Sequence, residues 1–200
     1  MKTKTKTKTN DTRQHILDIG YQLVVTKGFT NVGLSEILKT AAVPKGSFYH
    51  YFKSKEQFGE ALIQHYFEQY LEHVSAILVQ GTGTGFERVT DYFSRWLIID
   101  NGTCNANKCV VVKLSAEVSD LSEPMREALK KGAYSIVNLI ASCIDDGIKD
   151  GSITVTDSQL TAQTLYQLWL GASLFYKLSQ DITVLQQALV TTKAQLQPVV

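Results

Sequence analysis

The chain alternates between stretches with apolar residues at helical spacing and short polar breaks. Ile16, Gly20, Leu23 and Val24 share one face of a helix that the spacing starts near Asp11, a residue type suited to accept from the first free amides. "KGF" ends this helix: Gly28 suits the left-handed position after a helix, and Phe29 can fold back onto the apolar face. Leu34, Ile37, Leu38 and Ala41 predict a short second helix with Gly33 at its start. The turn "AVP" leads into a third, with Pro44 in its first turn, where no amide hydrogen bond is needed. Ser54 caps a fourth, long helix that carries Phe58, Leu62, His65, Tyr66 and Leu71 to about Leu78.

"QGTGTG" (80–85) has no apolar residue and reads as a linker. A helix over about Phe86–Asp100 follows, then a second break, "NGTCNANK", and a helix over about Val110–Val118. Ser122 and Pro124 open a helix that extends to about Lys149, and "KDGSITVTDS" is a turn region. The helix predicted over Ser158–Ser179 is apolar on nearly every side, through Leu160, Leu165, Tyr166, Leu168, Trp169, Leu170, Leu174 and Phe175. A helix apolar all round has to be covered all round, and in a chain this short a second copy is the expected cover. A last helix, about Ile182–Ala194, closes the chain, and no internal repeat is present. The fold class is therefore all-α, with a flexible basic arm at 1–10, a three-helix domain at 11–56 and a larger helical domain at 57–200.

Net charge changes this picture only in its distribution. The chain carries +1 overall, but residues 1–60 hold ten Lys/Arg against five Asp/Glu, leaving −4 on the remaining 140. A basic front on an acidic body suits a polyanionic partner. "MKTKTKTKT" is followed by no apolar run, so it does not read as a secretory signal. No apolar run reaches membrane-spanning length. Three cysteines are too few for a disulfide scaffold, and a reduced, cytoplasmic protein is expected.

The third predicted helix divides by face. Phe48 and Phe52 are four apart and should pack inward, leaving Lys45, Gly46, Ser47, Tyr49 and His50 outward. Hydroxyls and ammonium groups reach phosphates and base edges, a glycine admits a close backbone, and two short helices after a longer one form the helix-turn-helix plan. Lys55 sits in the first turn of the fourth helix, beside amides that themselves favour an anion.

"GLSEILKTAAVPKGSFYHYFKSKEQF" resembles the DNA-binding signature of the TetR family of transcriptional regulators, with the resemblance strong over Thr12–Phe58. It implies about nine helices, a homodimer formed through the last two, and a near-palindromic double-stranded operator. By the same resemblance Tyr49 and Lys55 contact phosphate, and Lys45, Ser47 and His50 touch DNA from the recognition helix. Gly33 stands where a phosphate-contacting Thr is common, and Pro44 where Ser is common, so both departures remove a hydroxyl. Further on, "VKLSAEVSDLSEPMREALKKGA" and "LYQLWLGASLFYKLSQ" resemble an electrophile-responsive subgroup, in which a cysteine at the position of Cys109 is the sensor and a lysine matches Lys177.

From position alone, Cys109 follows Lys108 and opens a predicted helix, with Lys113 one turn on. A helix N-terminus and nearby ammonium groups stabilise thiolate. Cys104 is a candidate resolving thiol, whereas Cys143 shares an apolar face with Ile136, Ile140 and Ile144. No metal-ligand spacing, Gly-rich phosphate loop or nucleophile elbow is present, so no cofactor, metal or catalytic residue is assigned. Two other readings stay open: a non-covalent apolar or aromatic inducer in a pocket lined by Tyr92, Trp96, Lys113, Tyr166 or Trp169, and a helical enzyme or adaptor with no DNA role.

Overall fold

The computed structural model describes residues 3–100 and 102–197, with the backbone alone for 3–10. The described residues form nine α-helices, two 3-10 turns and one short hairpin. They fall into two compact units: residues up to Glu68 together with Lys113–Lys131, and Gln69–Val112 together with the chain from Gly132 onward.

The first unit holds α1 (Thr3–Lys27), α2 (Leu34–Thr40), α3 (Lys45–Tyr51), the first part of α4 (Lys55–Leu78), the later part of α6 (Val110–Val118) and the start of α7 (Glu123–Lys149). Helix α1 begins earlier than the expected Asp11, because the Lys–Thr repeat before it contains neither proline nor glycine to stop a helix. The expected basic arm lies outside the described residues in its first two positions and in all ten side chains. Ile16, Leu17, Val24, Phe29, Val32, Ile37, Phe48, Phe52 and Phe58 form the core. Within it Phe48, Phe52 and Phe58 make a triangle of rings with centroids 5.2–5.5 Å apart. Gly20 makes the approach of Phe58 to α1 possible, since a Cβ there would meet the ring tip at 2.2 Å.

Pro44 stands one position outside α3 rather than in its first turn. Its φ of −69° and ψ of 152° are those of an extended N-cap, and its missing N–H costs nothing there. Ser54 accepts from the Gln57 amide at 3.1 Å while the Gln57 side chain accepts from the Lys53 amide at 2.6 Å, and this reciprocal pair starts α4.

The second unit holds the end of α4, α5 (Gly85–Ser94), most of α7, α8 (Ser158–Ser179) and α9 (Thr183–Leu196). Thr84 and Glu87 form a capping box at the start of α5. The helix expected to run to Asp100 stops at Ser94. A 3-10 turn (Arg95–Leu97) and a hairpin replace its end, with β1 (Ile99–Asp100) antiparallel to β2 (Thr103–Cys104). The "NG" dipeptide between the strands is a strong hairpin signal, and Gly102 has the positive φ, +74°, that such a turn demands. A second 3-10 turn, Asn105–Lys108, leads to Cys109 and α6.

Helix α8 is apolar on two distinct sides. Leu165, Tyr166, Trp169 and Ala172 are buried within the unit, whereas Leu160, Leu174, Phe175 and Leu178 are exposed. Against the buried side lie Phe93, stacked on Trp169 at 5.1 Å, and Trp96, edge-on at 5.8 Å. Helices α5 and α7 meet backbone to backbone, and a Cβ on Gly85 would come 2.3 Å from the Gly147 nitrogen. Gly85→Ala is therefore expected to destabilise the protein by about 1–3 kcal/mol in urea denaturation, because main chain cannot step aside. Gly46→Ala, which meets no atom within 4 Å and lies within α3, is the control and should lose no stability, since alanine favours a helix over glycine.

Candidate nucleic-acid interface and thiol site

Helix α3 presents the outward face expected of it. Phe48 and Phe52 are buried, and Lys45, Gly46, Tyr49 and His50 are exposed, with Ser47 half-buried. Pro44 and Gly33 are exposed at the starts of α3 and α2. The Lys45 ammonium lies 5.7 Å from the Tyr49 ring centroid, which keeps both on one side of the helix. The Arg13 guanidinium lies 5.5 Å from the Phe52 ring centroid, and His15 bonds the Ala41 carbonyl at 3.0 Å, so α1 braces both helices of the motif.

Lys55 is held from two sides. Its ammonium donates to the Thr30 carbonyl at 3.4 Å and lies 4.6 Å from the Phe29 ring centroid. Burial lowers its pKa, with the charges of Glu117 and Glu56 opposing that shift. Nothing in the sequence around Glu117 points to it as a site residue. Its carboxylate accepts from the Phe29 amide at 2.9 Å and from the Thr30 amide and hydroxyl. Burial acts to raise the Glu117 pKa, but these hydrogen bonds and the Lys55 charge outweigh it, and the net shift is downward. Lys113, expected beside the thiol, donates to the Val25 carbonyl near the end of α1 at 2.6 Å.

The three thiols occupy different surroundings. Cys109 is half-buried and follows the Asn105–Lys108 turn, one residue before α6. Cys104 is buried on β2 and donates to the Trp96 carbonyl at 3.0 Å. Cys143 is buried on α7, and burial pushes its pKa up to about 11, so it stays a thiol at neutral pH. Tyr92 and Tyr166 are buried where Cys109 and Tyr70 act on them. Burial first, and then these neighbours, raise both phenol pKa values well above the usual range. Trp96 and Trp169 pack against one another in the core, and Lys177 is exposed in the last turn of α8. Among the described residues no group of three His, Cys, Asp or Glu is placed to hold a metal ion, and no helix is long and apolar enough to cross a membrane.

Residues 16–62 match the family described as bacterial regulatory proteins, tetR family, and residues 85–192 match the tetracyclin repressor-like C-terminal domain. The chain belongs to the TetR family. It is 44% identical over 187 residues to the HTH-type transcriptional repressor NemR of Escherichia coli (strain K12), covering 92% of this chain and 93% of that protein. The crystal structure of the reduced form of E. coli NemR superposes with a TM-score of 0.86 at 43% identity, covering 94% of this chain and all of that one. The HTH-type transcriptional repressor DhaR of Mycobacterium sp. (strain GP1) is 32% identical, covering 93% of this chain and 92% of that protein. This TetR-type protein is a transcriptional repressor resembling NemR, with the helix-turn-helix of its family over α2 and α3.

Proposed function

We propose that this chain is a homodimeric repressor that binds a near-palindromic operator and leaves it when a reactive electrophile or oxidant modifies Cys109. The observation that carries the sensor part is the contrast among the thiols. Cys104 and Cys143 are buried and Cys109 is half-buried at the entry to α6, where helix amides favour a thiolate. A relative at 43% identity whose structure is described as a reduced form supports this reading. Modification of Cys109 adds bulk beside Tyr92 and Tyr166 and displaces the start of α6. Release follows if the displaced arrangement binds DNA less well.

In the DNA-bound form Tyr49 and Lys55 contact phosphates. Lys45, Ser47 and His50 face the major groove, and Gly46 and Pro44 let the backbone of α3 approach. Two copies joined through α8 and α9 carry two such helices, which sets the half-site spacing. The exposed Leu174, Phe175 and Leu178 of α8 and Val190 of α9 supply the apolar surface for that joint. The protein acts in the cytoplasm, where its operator is.

A charge-assisted hydrogen bond to phosphate contributes about 1.5–3 kcal/mol, so Tyr49→Ala and Lys55→Ala should each weaken operator binding by about tenfold or more. Lys55→Ala should also lower the slope of log affinity against log salt by about one per half-site, since one phosphate there keeps its counterion. Cys109→Ser should bind the operator as wild type does and hold it in the presence of a maleimide that releases wild type. A Cys109→Ser protein that still lets go would transfer the inducer role to a non-covalent ligand. Unchanged binding in both alanine variants would remove the two phosphate contacts assigned to Tyr49 and Lys55 and move the operator contact to other residues.

A further inference from the structure

Glu117 is given no part above in operator contact or in thiol chemistry, yet its carboxylate takes three hydrogen bonds from the turn that opens the helix-turn-helix. Its partners Phe29 and Thr30 lie 88 and 87 residues earlier, in the turn between α1 and α2. Gly28 makes that turn at φ +84°, and a Cβ there would stand 3.1 Å from the Glu117 Oε2. A side chain at Gly28 would thus be strained by the backbone and crowded by this carboxylate. The same turn carries Lys55, through the Thr30 carbonyl and the Phe29 ring face. One carboxylate therefore fixes the main chain that supports the expected phosphate contact, and supplies the largest opposite charge acting on it. Helix α6 starts at Val110, the residue after Cys109, and Glu117 lies about two turns further along it.

We infer that Glu117 is the positioning residue through which α6 sets the operator-binding geometry of the helix-turn-helix. With α6 in its unmodified position, Glu117 holds the Phe29 and Thr30 amides, and the ordered turn aims the Lys55 ammonium. Displacement of α6 withdraws the carboxylate, frees the two amides and the hydroxyl, and leaves Lys55 without its carbonyl and ring support. The part of this that involves displacement rests on Cys109 acting at the start of α6; the part that links Glu117 to Lys55 does not.

The test uses Glu117→Ala and Glu117→Gln in the full chain, with operator affinity measured before and after alkylation by a maleimide and mass spectrometry confirming one adduct at Cys109. Glu117→Ala is expected to weaken the unmodified protein by about tenfold and to leave the alkylated protein unchanged, so that the ratio of the two affinities contracts by that factor. Glu117→Gln, which keeps an acceptor oxygen and loses the charge, should fall between and guards against a folding defect in the alanine variant. A residue that merely braced the fold would weaken both states alike, and a preserved ratio overturns the inference. A second arm is independent of the thiol: in unmodified protein, Lys55→Ala should cost about tenfold in wild type and less than about twofold when Glu117 is alanine. Additive losses in that cycle overturn the link between Glu117 and Lys55, whereas a wild type that maleimide fails to release counts against the Cys109 reading alone.

Discussion

Phe175→Glu is expected to divide the protein into monomers and to lower operator affinity by about a hundredfold or more, the loss that follows when two linked binding events become separate ones. Leu160, Leu174, Phe175 and Leu178 all lie on the outer side of α8, and Phe175 is 61% and Leu178 75% exposed. Val190 of α9 is a further exposed apolar residue, at 67%. Three large apolar side chains exposed within five residues, Leu174, Phe175 and Leu178, mark an interface, and about a two-fold axis each residue counts twice. Two buried glutamates without partners would each cost several kcal/mol, beyond what loss of the phenyl rings removes. Sedimentation should show the monomer at micromolar concentration, with helix content by circular dichroism unchanged. Leu121→Glu is the control, because Leu121 is 47% exposed and belongs to the other compact unit. A Phe175→Glu protein that stays dimeric and keeps its operator affinity would move the interface elsewhere.

The two faces of α8 show what a linear pattern reveals and where it stops. Periodicity indicates apolar residues on every side, and the structure separates them into Leu165, Tyr166 and Trp169 inside and Leu174, Phe175 and Leu178 outside. No rule of spacing makes that separation, because it depends on where α5 and α9 arrive. Helix α3 is more legible, since Phe48 and Phe52 at i and i+4 fix one buried face and leave the other outward. Ser54 is likewise readable as a cap, because its partner Gln57 is three residues away. Glu117 is not readable: its sequence neighbours describe an ordinary helical glutamate, and its hydrogen bonds span almost half the chain. The hairpin at Ile99–Cys104 has a local signal in its Asn-Gly pair, but two-residue strands are too short to show alternation. Lys113 donates to the Val25 carbonyl, a partner 88 residues away that no local pattern reveals.

Trp169→Ala should destabilise the protein by about 3–5 kcal/mol, a large share of the roughly 5–15 kcal/mol that holds a typical domain together. Trp169 is fully buried, stacked on Phe93 and edge-on to Trp96, and its indole Nε1 donates to the Thr192 hydroxyl at 2.9 Å. Thr192 is itself fully buried and its hydroxyl donates to the Ala188 carbonyl at 2.8 Å. Truncation to alanine therefore opens a cavity between α5, α8 and α9 and deprives a buried hydroxyl of its donor. Trp169→Phe separates these contributions, because it keeps a ring against Phe93 and removes only the indole N–H. Its expected cost is about 1–2 kcal/mol, the range for a buried acceptor left short of one hydrogen bond. This comparison also decides the role of the aromatic cluster. A tryptophan lining an inducer pocket would tolerate truncation with little loss of stability and a large change in induction. A tryptophan of the core loses stability in proportion to the atoms removed. Urea denaturation of the three proteins, with operator release measured on whichever remain folded, distinguishes the two roles, and the stacked, hydrogen-bonded geometry of Trp169 predicts the second.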